Sequence, residues 1–306
     1  MSDAGRLPRS FLILSTVILA LGFFSLAAWA ITGNFNHVGS YFTYPAALFL
    51  IICSITEASF AAFAYRQFEP SEPLHGAWFL LLSGAICRVL GTAFVQWFAS
   101  DAALNLFRRG PLWESVPPDQ LRQIGFVLHG PLALVLVGSG LGIVLRTYSC
   151  LGWLEKYQRV DLAWIGAGIL YCLHHFHQVY LNTRSSGWKL EVTHALNWLT
   201  DPLLVLLLAE VLLLRRSAMA MGGGWVSACW SAYAAGIFFT CLGNLGIWLV
   251  NWEYLRWPYT SVTWFLWLPA WAAFALAPLY QWSAITETRA ACWAILNQGN
   301  ASKAPL

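Results

Sequence analysis

Charge is what this chain lacks most. Asp, Glu, Lys and Arg together make up 10% of its 306 residues, against roughly 25% in an ordinary soluble domain. With 58% of residues hydrophobic and a mean hydropathy of +0.60, burial of so much apolar surface in water does not fit. The formal net charge of +3 is small, and no basic run offers a surface to phosphates, so nucleic acid is excluded as a partner. The seven cysteines show no CxxC, CxxCH or zinc-ribbon spacing, which argues against thiol-redox and structural-zinc proteins. GxSG and HExxH arrangements are missing as well, which leaves nothing to suggest an intramembrane protease. No internal repeat is visible, and a transporter built from paired broken helices is correspondingly disfavoured.

Long apolar runs are what the chain has instead. Eight stretches reach the roughly 20 residues that a bilayer crossing needs: about 10–32, 41–66, 75–99, 125–147, 160–182, 189–214, 225–250 and 262–285. The first, preceded by Arg6 and Arg9, is too long for the apolar core of a signal peptide and reads as a retained helix. Eighteen Trp and eleven Tyr suit a chain with two membrane–water interfaces. The expected fold is therefore all-α: a polytopic integral membrane protein, a bundle of about eight transmembrane helices forming one domain over residues 1–290, with 291–306 as a flexible cytoplasmic tail. Short connections predict antiparallel neighbours in sequence order. Gly138, Gly140 and Gly142 on the fourth segment and Gly166 and Gly168 on the fifth suggest that these two helices touch.

Lys and Arg set the orientation. Ten of the 17 fall on the side of the N-terminus, six on the other, and Arg88 lies within a helix. The reading is both termini cytoplasmic, in a bacterial inner membrane, with the lipid bilayer as the first partner. The connection 100–123 then lies outside as an interfacial segment, on the same side as the aromatic loop 252–259.

Polar groups inside a bilayer are costly and often mark function. The fifth segment carries Tyr171, His174, His175 and His177 within seven residues. At 100° per residue, Tyr171, His174, His175, Gln178 and Asn182 share one arc, with His177 just off its edge. Glu191, His194, Asn197 and Asp201 form a stripe on the sixth segment. At 1.5 Å rise per residue, His129, His177, His194 and His174 lie roughly 6, 8, 9 and 12 Å below the outer boundary, in the layer that also holds Asn244. Glu57 and Arg88 fall deeper, close enough along the membrane normal for an ion pair.

Imidazole is the commonest metal ligand and the usual axial ligand of haem iron. The candidate cofactor site is therefore His129, His174, His177 and His194. A metal version uses His174, His177, His194 and Asp201, and Tyr171, His175, Asn197, Arg88, Glu57 and Asn244 stand in support. Haem b, a transition metal and a quinone are the three ligands considered, the last with histidine accepting a proton and a carboxylate passing it on. The bland alternative makes His175 and His177 interfacial residues reaching for headgroups, and Asn197 and Asn244 interhelical hydrogen bonds.

His175-Phe-His177 resembles the His-Phe-His on one helix of haem-copper oxidases, where the two rings point in opposite directions and bind two haems. The match covers three residues, and the family's other ligand motifs are missing here. The His174-His175 pair with His194 is similar to the motif of ceramide synthases, although His194 is followed by Ala where that motif has Asp. Neither resemblance assigns a family. The functional expectation is a histidine-lined polar pocket near the outer face, binding haem, a metal ion or a quinone-like ligand, with electron transfer as one use. The alternatives are a non-enzymatic sensor or accessory subunit, working with other membrane subunits, and, third, a small-molecule transporter.

Overall fold

A computed structural model describes residues 35–95, 118–185, 187, 196, 198–254 and 259–301. Every regular element among these residues is helical. In chain order they are α1 (Phe35–Tyr65), α2 (Pro73–Ala93), α3 (Pro118–Val127), α4 (Ala133–Cys150), α5 (Arg159–Ser185), α6 (Thr200–Ala220), α7 (Gly224–Asn251) and α8 (Tyr259–Ala301). The first expected segment, 10–32, lies outside the described residues, as does most of 100–123. Among the described residues, four stretches are long and apolar enough to cross a membrane: 47–65 in α1, 73–93 in α2, 122–150 through α3 and α4, and 224–249 in α7.

Local chemistry sets the helix ends. Pro73 opens α2 after an extended Glu72, a position where its missing N–H costs nothing. Asp201 and Pro202 sit in the first turn of α6, the carboxylate at the positive end of the helix dipole. Gly152 (φ +70°) follows α4 and Gly222 (φ +112°) follows α6, left-handed positions that glycine takes without steric cost. A π-helical turn, Leu128–Leu132, joins α3 to α4, with Pro131 inside it and Gly130 at φ −88°, ψ −110°.

Six helices close a ring. α1 packs on α2, α2 on α4, α4 on α6, α6 on α7, α7 on α8, and α8 returns to α1. α5 stands outside this ring against α6, with Trp164 edge-on to Phe238 of α7. It does not take the expected place beside α4. The glycines show why: a Cβ on Gly140 would come within 2.9 Å of the Ala77 carbonyl on α2, and one on Gly168 within 2.9 Å of Val205 on α6, while Gly142 and Gly166 face open space. Arg216 forms an ion pair with Asp161 at the other end of α5, and Tyr157 donates to the Ala209 carbonyl. These contacts moor α5 to α6.

α8 continues to Ala301, through most of the 291–306 stretch expected as a flexible tail. After Pro278 the sequence has no helix breaker until Gly299, so the chain has no local reason to leave the helix. Its C-terminal extension is tied back by Arg289, which donates to the Gln67 side chain and carbonyl at 2.5 Å each.

The ring is apolar outside and holds its charges inside. Leu48, Ile55, Phe79, Leu90, Val135 and Leu206 are exposed on its outer face, whereas Glu57, Arg88 and Asp201 are buried. Outward hydroxyls fold back on their own helix: Ser59 donates to the Ile55 carbonyl, Ser83 to Phe79 and Ser139 to Val135, each at 2.8 Å. A hydroxyl that bonds the carbonyl four residues back needs no water.

Candidate functional site

All six ring helices contribute to one cavity of about 370 Å³. It lies towards the end of the ring where α2 finishes and α4, α6 and α8 begin. Its apolar walls are about equally aromatic, from Trp248 on α7, Trp267, Trp271 and Phe274 on α8, and Phe126 on α3, and aliphatic, from Leu50, Val95, Leu134, Leu204 and Ile247. The polar groups are few: Arg88 and Thr92 from α2, His129 from the π turn, Thr200 and Asp201 from α6, and Thr240 and Asn244 from α7.

Backbone contact between α2 and the π turn places His129. A Cβ on Gly91 would meet the His129 backbone nitrogen at 2.5 Å and the Gly125 carbonyl at 2.6 Å, so only glycine lets these segments touch. The Nδ1 of His129 lies 2.7 Å from the Gly125 carbonyl oxygen. A carbonyl only accepts, so Nδ1 carries the proton, and in the neutral ring Nε2 presents its lone pair.

Arg88 and Glu57 form the ion pair their depths suggest. Nε donates to Oε2 at 3.0 Å and Nη2 to Oε1 at 2.5 Å, and the guanidinium lies 4.4 Å from the centre of the Phe274 ring. The pair is neutral as a unit. Nε and Nη2 serve Glu57, which leaves Nη1 outside this pair. Beside it, Trp271 donates to the Ser54 hydroxyl at 3.1 Å.

Asp201 gathers three helices. Its Oδ1 accepts from Asn244 at 2.8 Å, and its Oδ2 accepts from Trp248 at 2.8 Å and from Tyr171 at 3.0 Å. The Nε2 of His175 lies 3.9 Å from Oδ2. The His175 ring is fully buried against Trp248, 4.2 Å between centroids, and neither of its nitrogens has a hydrogen bond among the described residues.

The histidines do not meet as expected. His174 and His177 are exposed on α5, His174 edge-on to Trp252 at 4.7 Å. The inward face of α5 carries Asp161, Cys172 and His175, with Gly168 against Val205, its centre roughly 75° round from that of the expected arc. α5 is apolar on most sides, so residue spacing alone could not fix its rotation; the close approach at Gly168 does. Glu191, His194 and Asn197 lie outside the described residues. His129 is the one histidine among the described residues that lines the cavity. No group of three or more His, Cys, Asp or Glu among those residues lies close enough to hold a metal ion. The metal set His174, His177 and Asp201 is thus not assembled, and no second described imidazole faces His129 across a space for haem.

Four residues singled out from the sequence, His129, Arg88, Asp201 and Asn244, do line the cavity, whereas its aromatic wall residues were not anticipated. The available signal was spacing: Thr240, Asn244, Ile247 and Trp248 follow i, i+4, i+7, i+8, and Trp267, Trp271 and Phe274 follow i, i+4, i+7, each a single helical face. Among eighteen Trp the stripe was obscured by the interfacial role that tryptophan usually has in membranes. Searches against protein-family models, curated proteins and solved structures find no match for this chain.

Proposed function

We propose that this chain is an integral membrane protein of about eight crossings, with both termini cytoplasmic in a bacterial inner membrane, and that its ring of helices binds a small quinone-like organic molecule below the outer face. The inverted distribution of polarity, apolar outside and charged within, supports the membrane reading, since polar side chains in a bilayer turn to the bundle interior. The observation that carries the ligand reading is the shared cavity: one hollow of about 370 Å³, fed by all six ring helices. It is walled by indole and phenyl rings and by aliphatic side chains, with a handful of hydrogen-bonding groups. Small-molecule sites have this composition, an apolar enclosure with a few polar groups that fix orientation. A flat ring bearing oxygens matches it better than a metal ion, for which the described residues supply no ligand set.

In this reading the aromatic side chains hold the ring. His129 offers the Nε2 lone pair to a hydroxyl, and Arg88 offers Nη1 to an oxygen acceptor. The test is a titration of the detergent-solubilised protein with a short-chain ubiquinone, followed by tryptophan fluorescence. Saturable quenching at one equivalent is expected, weakened by His129→Ala. Linear quenching identical in the wild type and the variant overturns the reading.

A further inference from the structure

We infer that the cavity selects the reduced, hydroquinone form of its ligand over the quinone, and that the Asp201 carboxylate makes the distinction. The inference rests on the quinone-like reading of the cavity and adds the oxidation state that fits.

A carboxylate is an acceptor with about four lone-pair positions. Three are taken among the described residues, one on Oδ1 by Asn244 and two on Oδ2 by Trp248 and Tyr171. The remaining one is on Oδ1, and Asp201 lines the cavity. The nearest basic side chain does not fill that position. The Nε2 of His175 stands 3.9 Å from Oδ2, beyond hydrogen-bond distance, and neither ring nitrogen has a hydrogen-bond partner among the described residues. Arg88 is already neutralised by Glu57. Among the described groups at the cavity wall, Asp201 is therefore a carboxylate with no hydrogen-bonded cation, and one of its acceptor positions has no donor among them.

Hydroquinone and quinone have the same carbon skeleton and nearly the same shape. They differ in that each hydroquinone oxygen carries a proton to donate, whereas a quinone oxygen only accepts. Against Asp201 the hydroquinone completes the carboxylate's shell, while the quinone sets two acceptors against each other in a nonpolar enclosure. A site with buried hydrogen-bonding groups rejects an analogue that leaves them unpaired far more strongly than one differing in apolar bulk. No electron moves in this inference; it concerns binding alone.

The experiment is anaerobic calorimetry on the full-length protein in detergent with three probes: tetramethylhydroquinone, tetramethylbenzoquinone and the hydroquinone's dimethyl ether. The hydroquinone should bind at least about tenfold more tightly than the other two. In Asp201→Asn the gap should close, because an amide can donate to a quinone carbonyl. The three-probe comparison on unmodified protein keeps the inference testable even if that variant does not fold. Equal binding of all three probes, or tighter binding of the quinone, with sensitivity to His129→Ala retained, overturns the oxidation-state preference and leaves the cavity reading standing. Binding of none of the three overturns both.

Discussion

Arg88 and Glu57 meet as a two-pronged ion pair between α2 and α1, Nε to Oε2 at 3.0 Å and Nη2 to Oε1 at 2.5 Å, both side chains almost wholly buried. Neither charge has water to fall back on. Removing one partner of such a pair costs about 3–5 kcal/mol, while replacing both by apolar residues of similar volume is often neutral. Glu57→Gln should therefore lower the thermal midpoint of the detergent-solubilised protein strongly, and Glu57→Leu with Arg88→Met should restore most of it. A double variant as unstable as the single one would show that the pair is needed for more than mutual neutralisation.

Gly91 is the second point where a small change should have a large effect. A methyl group there would lie 2.5 Å from the His129 backbone nitrogen, and overpacking of this kind costs about 1–3 kcal/mol. Gly91→Ala should destabilise the protein by that amount and weaken ubiquinone binding, because the π turn carrying His129 must shift. Gly142→Ala, where a Cβ meets nothing within 4 Å, should be neutral or slightly stabilising, given the poor helix propensity of glycine. Thermal unfolding of the two variants side by side is the measurement.

Asp201 holds α5 to the ring. Asp201→Ala would leave the Tyr171 hydroxyl, the Asn244 amide and the Trp248 indole without their acceptor, and hydrogen bonds to a charged group contribute about 1.5–3 kcal/mol each. Amide exchange across α5 should accelerate by at least about tenfold while α1 and α2 stay protected. Uniform acceleration over all helices would instead mean that Asp201 supports the whole ring.

The proposed orientation has a direct readout. Cys150 is exposed at the end of α4, next to the Gly152 turn that is expected on the cytoplasmic side. With the other six cysteines replaced by alanine, a membrane-impermeant maleimide should label it in inverted vesicles and not in right-side-out ones. The opposite pattern would reverse the topology.

The sequence by itself determined the helical class, the approximate limits of most described helices and the presence of costly polar groups among apolar ones. Run length, proline and glycine are local properties, and Pro73, Gly152 and Gly222 act within a turn of where they stand. It also put Glu57 and Arg88 close enough in depth for an ion pair, because rise per residue is the same in every helix. Rotation and partnership were decided only in three dimensions. On α5, apolar side chains cover most sides, so nothing in their order distinguishes His174 from His175 until Gly168 fits against Val205 and turns one ring inward and the other out. The cavity likewise exists because α8 returns to α1 and closes the ring. That closure depends on contacts between residues more than 200 positions apart, such as Trp271 with Ser54, which no local pattern specifies.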